Sequence, residues 1–257
     1  MVLADRRVAL VYRVIATGFI GAAILFAFGV FDGAPSIDAL KFYTTVSNVI
    51  CFVWILLVLA RTIADLRTRG ARGWSSPSPR FAGVVMMAIT VTMLIYLIIL
   101  APTPPVDGYE RFTLSDTLLH VVTPSLVIVD WLVFHPKGRL RWIDPVLWAI
   151  VPWAYLVWAF AAGALGLVTW EAGNPFPYPF MDVSTLGLGG VAAWIGALSV
   201  ALIGVGYVYV ALDHGLARVG RGSAAPGADK RDAGETSGPD RSGPETSSTP
   251  LPEGAEV

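Results

Sequence analysis

Charge, cysteine and histidine are all scarce in this chain. Only 14% of its 257 residues are charged, against about 25% in ordinary soluble domains, while 55% are hydrophobic and the mean hydropathy is +0.64. Such a composition is expected of an integral membrane protein. The net charge of -1 offers no basic field, which argues against nucleic acid as a partner. The single Cys51 cannot form an intrachain disulfide, so helix packing must hold the fold. Phosphate-cradling G-x-x-x-x-G-K-S/T, zinc-protease H-E-x-x-H, redox C-x-x-C and nucleophile-elbow G-x-S-x-G patterns are missing, and with them the chemistries they carry. No lysine falls in a long apolar stretch, which removes a retinal-type Schiff base. His120 and His135 would stand about 22 Å apart along one helix and cannot share a haem iron. Neither metal nor organic cofactor is expected.

What the chain does have is apolar length. Six stretches, near Val8–Phe31, Phe42–Ile63, Phe81–Ala101, Leu114–Phe134, Pro145–Leu167 and Val191–Leu212, can each cross a hydrocarbon layer, which takes about 20 helical residues. They lack the alternation of barrel strands, and lipid leaves the backbone no water to bond, so an all-α six-helix bundle is predicted. The first stretch is too long for a signal core and reads as a retained anchor. Arg6, Arg7, Arg61, Arg67, Arg69, Arg72, Arg80, Lys137, Arg139 and Arg141 flank one set of connections, and the other set holds only Lys41 and Arg111. The bias predicts a multi-pass protein of the plasma membrane with both termini cytoplasmic. Residues 1–212 form the predicted membrane domain. From 213 to 257 Gly, Pro, Ser, Asp and Glu prevail, a composition expected to stay disordered.

Two polar points interrupt the apolar runs. His120, within Leu118-Leu119-His120-Val121-Val122, is an ionisable group at membrane depth and needs a reason. Thr44-Thr45-Val46-Ser47-Asn48 opens the second stretch, and both points enter from the same, outer, face. Thr45 and Asn48 share a helical side, as do Thr44 and Asn48. Asp116 stands four residues before His120, so its carboxylate can bond one imidazole nitrogen and leave the other for a hydroxyl. A nucleophile, base and orienting acid would be arranged in this way. Pro124 removes the N–H that would serve the carbonyl of residue 120, opening the helix beside the imidazole. A structural reading stands beside this one: Thr and Ser bond their own helix, Asn ties helices together, and Asp116 sits at a wet helix start. Asp130 is expected to pair with Arg13 or Lys137. The stretch from Asn174 to Asp182 alternates proline with aromatics and reads either as a cover over the outer mouth or as a connector whose Asp182 or Ser184 caps the sixth helix.

The runs Phe42-Tyr43-Thr44-Thr45-Val46-Ser47-Asn48, Asp116 to Pro124, and Pro177-Tyr178-Pro179-Phe180-Met181-Asp182 resemble a prokaryotic family of six-span membrane proteins, Pr-six-Pr. That family is similar, at a distance, to the androgen-induced integral membrane proteins of animals. The resemblance covers nearly all of residues 8–212. It implies hydrolysis of fatty acid esters of hydroxy fatty acids by a membrane-embedded threonine and histidine. By position these are Thr45, with Thr44 as a neighbouring alternative, and His120. It carries over no orienting acid.

The expected function is therefore an intramembrane hydrolase of lipid acyl esters, with Thr45 as nucleophile, His120 as general base and Asn48 helping to stabilise the oxyanion. The rival is a non-catalytic lipid-binding or assembly bundle. A small-solute transporter is a weaker third, because no matched pair of broken helices marks an inverted repeat.

Overall fold

The computed structural model describes residues 3–102, 111–170 and 175–222. Among them six helices are long and apolar enough to cross a membrane. Helix α1 spans Arg6–Ala27, α2 Tyr43–Arg69 and α3 Pro79–Ile95, the last continued by a π-helical turn at Tyr96–Leu100. The fourth span is compound, with α4 at Leu114–Thr117, a π-helical turn at Leu118–Val122 and α5 at Thr123–Phe134. The fifth joins α6, Asp144–Trp148, to α7, Ile150–Ala164. The sixth is α8, Val183–Gly222, kinked at Gly187 where φ is 66°. The described residues contain no strand, only an isolated bridge between Asp5 and Arg72. The fold is all-α, as six apolar runs without alternation require.

Helix α8 runs past Leu212, where its apolar sequence ends. The Asp213 carboxylate accepts from the Arg139 and Leu140 amides at 2.7 and 2.9 Å, tying this part of the helix to the connection before α6. The expected boundary at 212 therefore falls inside a helix. The tail beyond Gly222 lies outside the described residues.

Local signals set the ends. Asp5 caps α1, accepting from Arg7 N at 2.8 Å, and Ser78 caps α3 with Pro79 in the first turn, positions where a free N–H needs an acceptor or is absent. Buried Arg6 donates to the carbonyls of Gly70 and Arg72 and to Ser75 Oγ. The start of α1 is thus pinned to the loop that follows α2.

Helices α1, α2, α3 and α5 pack on one another, with α6 and α7 laid against α3 and α8 against α6. Over half of α3's most apolar stretch is buried (56%), against 11% for the sixth span, so α3 is central and α8 peripheral. Gly83 permits a close approach of α3 and α6: a Cβ there would stand 2.5 Å from the Trp148 ring. Contacts of this kind, rather than a hydrophobic drive, hold helices together in lipid.

At the arginine-bearing end, fully buried Arg13 donates from Nε to Asp130 Oδ1 at 2.8 Å, and also to Thr62 Oγ1 and the Ser75 carbonyl. His135 Nε2 lies 2.8 Å from the other Asp130 oxygen. Asp130 pairs with Arg13; Lys137 instead lies over the Trp131 ring and donates to the Trp131 carbonyl.

Candidate functional site

The opposite end of the bundle is built around two π-helical turns that face each other. In the turn at Leu118–Val122 the Thr123 amide bonds back five residues to the Leu118 carbonyl. In this register the donor due to the Leu119 carbonyl is residue 124, a proline with no N–H. The carbonyl left over is Leu119's, one residue before the one expected from α-helical spacing. Asn48 Nδ2 donates to it at 3.2 Å. The second turn, at Tyr96–Leu100, swings Tyr96 over the imidazole, stacked at 4.1 Å and 18°.

His120 is buried and held at both nitrogens. Its Nδ1 lies 3.0 Å from the Asp116 carbonyl and 3.0 Å from Asp116 Oδ1. Both oxygens only accept, so in the neutral imidazole the proton belongs on Nδ1. Nε2 is then the bare acceptor, and Thr44 Oγ1 stands 3.3 Å from it. Asp116 is fixed in turn: its Oδ2 accepts from the Tyr96 hydroxyl at 2.6 Å and from the Phe112 amide at 3.1 Å. Phe112 adopts φ 56°, a left-handed conformation costing about 1–3 kcal/mol for a residue of this size. Thr113 caps α4 by accepting from the Asp116 amide at 3.2 Å.

The structure brings together Thr44, His120, Asp116 and Asn48, and it leaves Thr45 aside. One residue along a helix is a turn of about 100°, and Thr45 points away from the imidazole into a site where it is 3% exposed. Thr44 is half-buried and opens on a cavity. The hydroxyl that meets the imidazole is therefore Thr44's, where Thr45's was expected. Asn48 also differs from expectation. Its amide hydrogens go to the carbonyls of Thr44 at 2.8 Å and Leu119, so it clasps α2 to the π turn and has no donor left for an oxyanion. Ser47 bonds Thr92 at 2.7 Å and supports the Thr44 carbonyl from the other side.

Thr44 and His120 stand at the head of a cavity of about 820 Å³, open mouth included, walled by α3, the fifth span and α8. Thr92, Tyr178 and Ser199 add polar points, and Val91, Ile95, Trp148, Leu156 and Leu202 make most of the remaining wall apolar. The fifth span contributes from Pro145 to Leu156, about 16 Å of helix at 1.5 Å per residue. An elongated apolar ligand with one polar joint matches this shape.

The segment from Pro175 to Asp182 closes the site from the side of the sixth span. The Pro175 carbonyl packs on Gly163, where a Cβ would meet it at 2.3 Å. Phe180 and Met181 are buried against α7. Asp182 caps α8, accepting from Ser184 N at 2.8 Å and Thr185 N. The Ser184 and Thr185 hydroxyls, the former foremost, hold its carboxyl down at about 2. This segment delivers Tyr178 to the wall of the cavity that Thr44 and Tyr155 also line, its ring 6.4 Å from that of Tyr155. Burial pushes the Tyr178 phenol above its usual range. Neither Tyr178 nor Tyr96 follows from spacing in the sequence; the only sign of Tyr178 is its place in an aromatic-proline run outside the spans.

No set of three or more His, Cys, Asp or Glu among the described residues is arranged to hold a metal ion. Comparison of the chain with protein-family profiles, curated proteins and solved structures gives no match in any of the three.

Proposed function

We propose that the chain is an intramembrane hydrolase of lipid acyl esters, fatty acid esters of hydroxy fatty acids being the substrate class in view. The observation that carries this reading is the line from Thr44 Oγ1 through His120 Nε2 and Nδ1 to Asp116, at the head of an apolar cavity. The motif resemblance to the six-span family agrees with it. In the proposed reaction Thr44 Oγ1 attacks the ester carbonyl carbon and its proton passes to His120 Nε2. The tetrahedral intermediate collapses, the C–O bond to the alcohol breaks, and His120 returns the proton to the leaving alkoxide. Water then attacks the acyl-Thr44 ester by the same relay, releasing the acid and restoring the hydroxyl. Asp116 holds the imidazole in the tautomer that leaves Nε2 bare. The acyl chain lies along the apolar wall. The arginine bias favours cytoplasmic termini and an outer-leaflet position for the site in a prokaryotic plasma membrane.

A fluorophosphonate probe tests the reading on the full chain in detergent micelles. The wild type should be labelled, Thr45→Val should be labelled nearly as fast, and Thr44→Ala and His120→Ala should not. Equal labelling of all four proteins, or none of the wild type, refutes the hydrolase assignment.

A further inference from the structure

The apolar cavity that leads away from Thr44 and His120 has a depth that can be counted along three of its walls. Helix α3 lines it from Met87 to Ile95, the fifth span from Trp148 to Leu156, and α8, running the opposite way, from Ile195 to Ile203. Each stretch advances eight positions, about 12 Å of helix at 1.5 Å per residue. The count starts at the reactive head, since Tyr96, the neighbour of Ile95, stacks on His120. At the other end α6 is wedged between α3 and α8. A Cβ at Gly83 would stand 2.5 Å from the Trp148 ring, and one at Gly206 would stand 2.8 Å from Pro145 Cβ. Contacts that leave no room for a methyl group leave none for an alkyl chain. Beyond them Arg80 is paired with Asp144, at the arginine-bearing end. Midway along the cavity Trp153 Nε1 donates to Ser199 Oγ at 2.9 Å and bridges α7 to α8.

We infer that Trp148 is the chain-length-determining residue of this site, the floor against which the methyl end of an acyl chain of medium length comes to rest. The inference rests on the hydrolase reading above and names its substrate more closely. An extended alkyl chain advances about 1.25 Å per carbon, because single bonds of about 1.52 Å meet at tetrahedral angles. A depth of about 12 Å therefore takes about ten carbons between the head and the floor. A shorter chain leaves apolar wall uncovered and loses burial. A longer one has to bend or displace the Trp148 ring, which is 2% exposed and already stands against the backbone of Gly83. The next lining residue beyond the ring is Pro145, three positions or about 4.5 Å further along the fifth span. Removal of the indole should thus admit three to four more carbons, about 4.5 Å of extended chain.

The test uses the purified full chain in detergent micelles with a series of p-nitrophenyl esters from butanoyl to stearoyl. For the wild type, kcat/KM should peak at decanoyl or lauroyl and fall at least about tenfold by palmitoyl, the lower bound for a single misfitting methylene in an apolar pocket. Trp148→Ala should move the peak to myristoyl. Ile203→Phe, which narrows the same end from α8, should move it the other way, to octanoyl or shorter. Opposite shifts in the profile are not produced by general loss of structure, so the pair decides even if Trp148→Ala lowers the melting temperature. A wild-type profile that is flat from decanoyl to palmitoyl, or a peak that stays in place in both variants, overturns the inference and leaves the hydrolase reading intact. A wild type inert towards every ester and towards fluorophosphonate refutes the hydrolase reading, and decanoic acid with a diazirine at its methyl end then decides the floor separately. Photolabel on Trp148 or Met87 supports the assignment, and label elsewhere or none overturns it.

Discussion

Replacing Asp116 by asparagine separates catalysis from packing, because the structure dictates which way the new amide must face. Asp116 Oδ2 receives two donors, the Tyr96 hydroxyl at 2.6 Å and the Phe112 amide at 3.1 Å. The carbonyl oxygen of the substituted amide has to occupy that position, since an NH2 group there would confront both donors. The NH2 is then placed at the former Oδ1, 3.0 Å from His120 Nδ1. Two donors facing each other at that distance repel, and the imidazole relieves the clash by moving its proton to Nε2. In that tautomer His120 cannot accept from Thr44. The same exchange in a Ser-His-Asp triad lowers kcat about 10⁴-fold. Here Nδ1 retains a second acceptor, the main-chain carbonyl of residue 116 at 3.0 Å, which keeps part of the population in the working tautomer. The expected loss is therefore about 10²–10⁴-fold in kcat, or about 2.7–5.4 kcal/mol at 1.36 kcal/mol per decade. KM and melting temperature should change little, since volume and two of the hydrogen bonds survive. Ester hydrolysis measured against pH, alongside fluorophosphonate labelling rates, supplies the readout. A loss below tenfold would show that Asp116 does not set the tautomer and is only a helix-start residue.

Two further predictions concern the arginine-bearing end. Asp130→Ala leaves the fully buried Arg13 without its carboxylate and should cost about 3–5 kcal/mol of stability, whereas the double variant with Arg13→Met should recover most of it. Unfolding in mixed micelles measures both, and a single variant within about 1 kcal/mol of wild type contradicts the pairing. Lys137 is pushed down from 10.5 to about 8, chiefly by burial. Between these values the unfolded chain binds more protons than the folded one, so stability should rise with pH across that window. Lys137→Met should flatten the rise in melting temperature between about 8 and 10.5, and an unchanged slope would refute the assignment.

The spans were legible in the sequence because lipid imposes one rule on all of them: about 20 apolar residues with every backbone group satisfied internally. Hydropathy alone could not locate the end of α8, because the helix continues past Leu212, where Asp213 ties it to the connection before α6. The pair Asp116 and His120 was legible from i, i+4 spacing, which survives into the π turn. Thr44 and Thr45 were not separable, since a choice between adjacent residues depends on helix rotation to within about 100°, and this is set by long-range clasps such as Asn48 to Leu119. Tyr96 and Tyr178 reach the site from well outside the fourth span, one on either side of it in the chain, and no local period encodes that.

The fourth span carries one Asp–His pair within it and a second at its arginine-bearing end, and the two have different surroundings. Asp130 faces a permanent cation, Arg13, and its partner His135 is closed in: the second imidazole nitrogen of His135 is buried with no hydrogen-bond partner among the described residues, and the ring stacks on Trp54. No hydroxyl of the described residues meets that nitrogen, so a proton taken there has no reactant to come from. Asp116 is held by a phenol and a backbone amide, and the far nitrogen of its histidine meets a threonine hydroxyl at the head of a cavity. An acid and a histidine in hydrogen-bond contact are common to both, so that contact cannot by itself mark a reactive site. What distinguishes the pair at Asp116 is an acceptor directed at a hydroxyl and space beside it for an acyl chain. In a membrane interior the arrangement around Asp130 stabilises a charge that would otherwise be expelled, while the one around Asp116 turns the far imidazole nitrogen towards a hydroxyl.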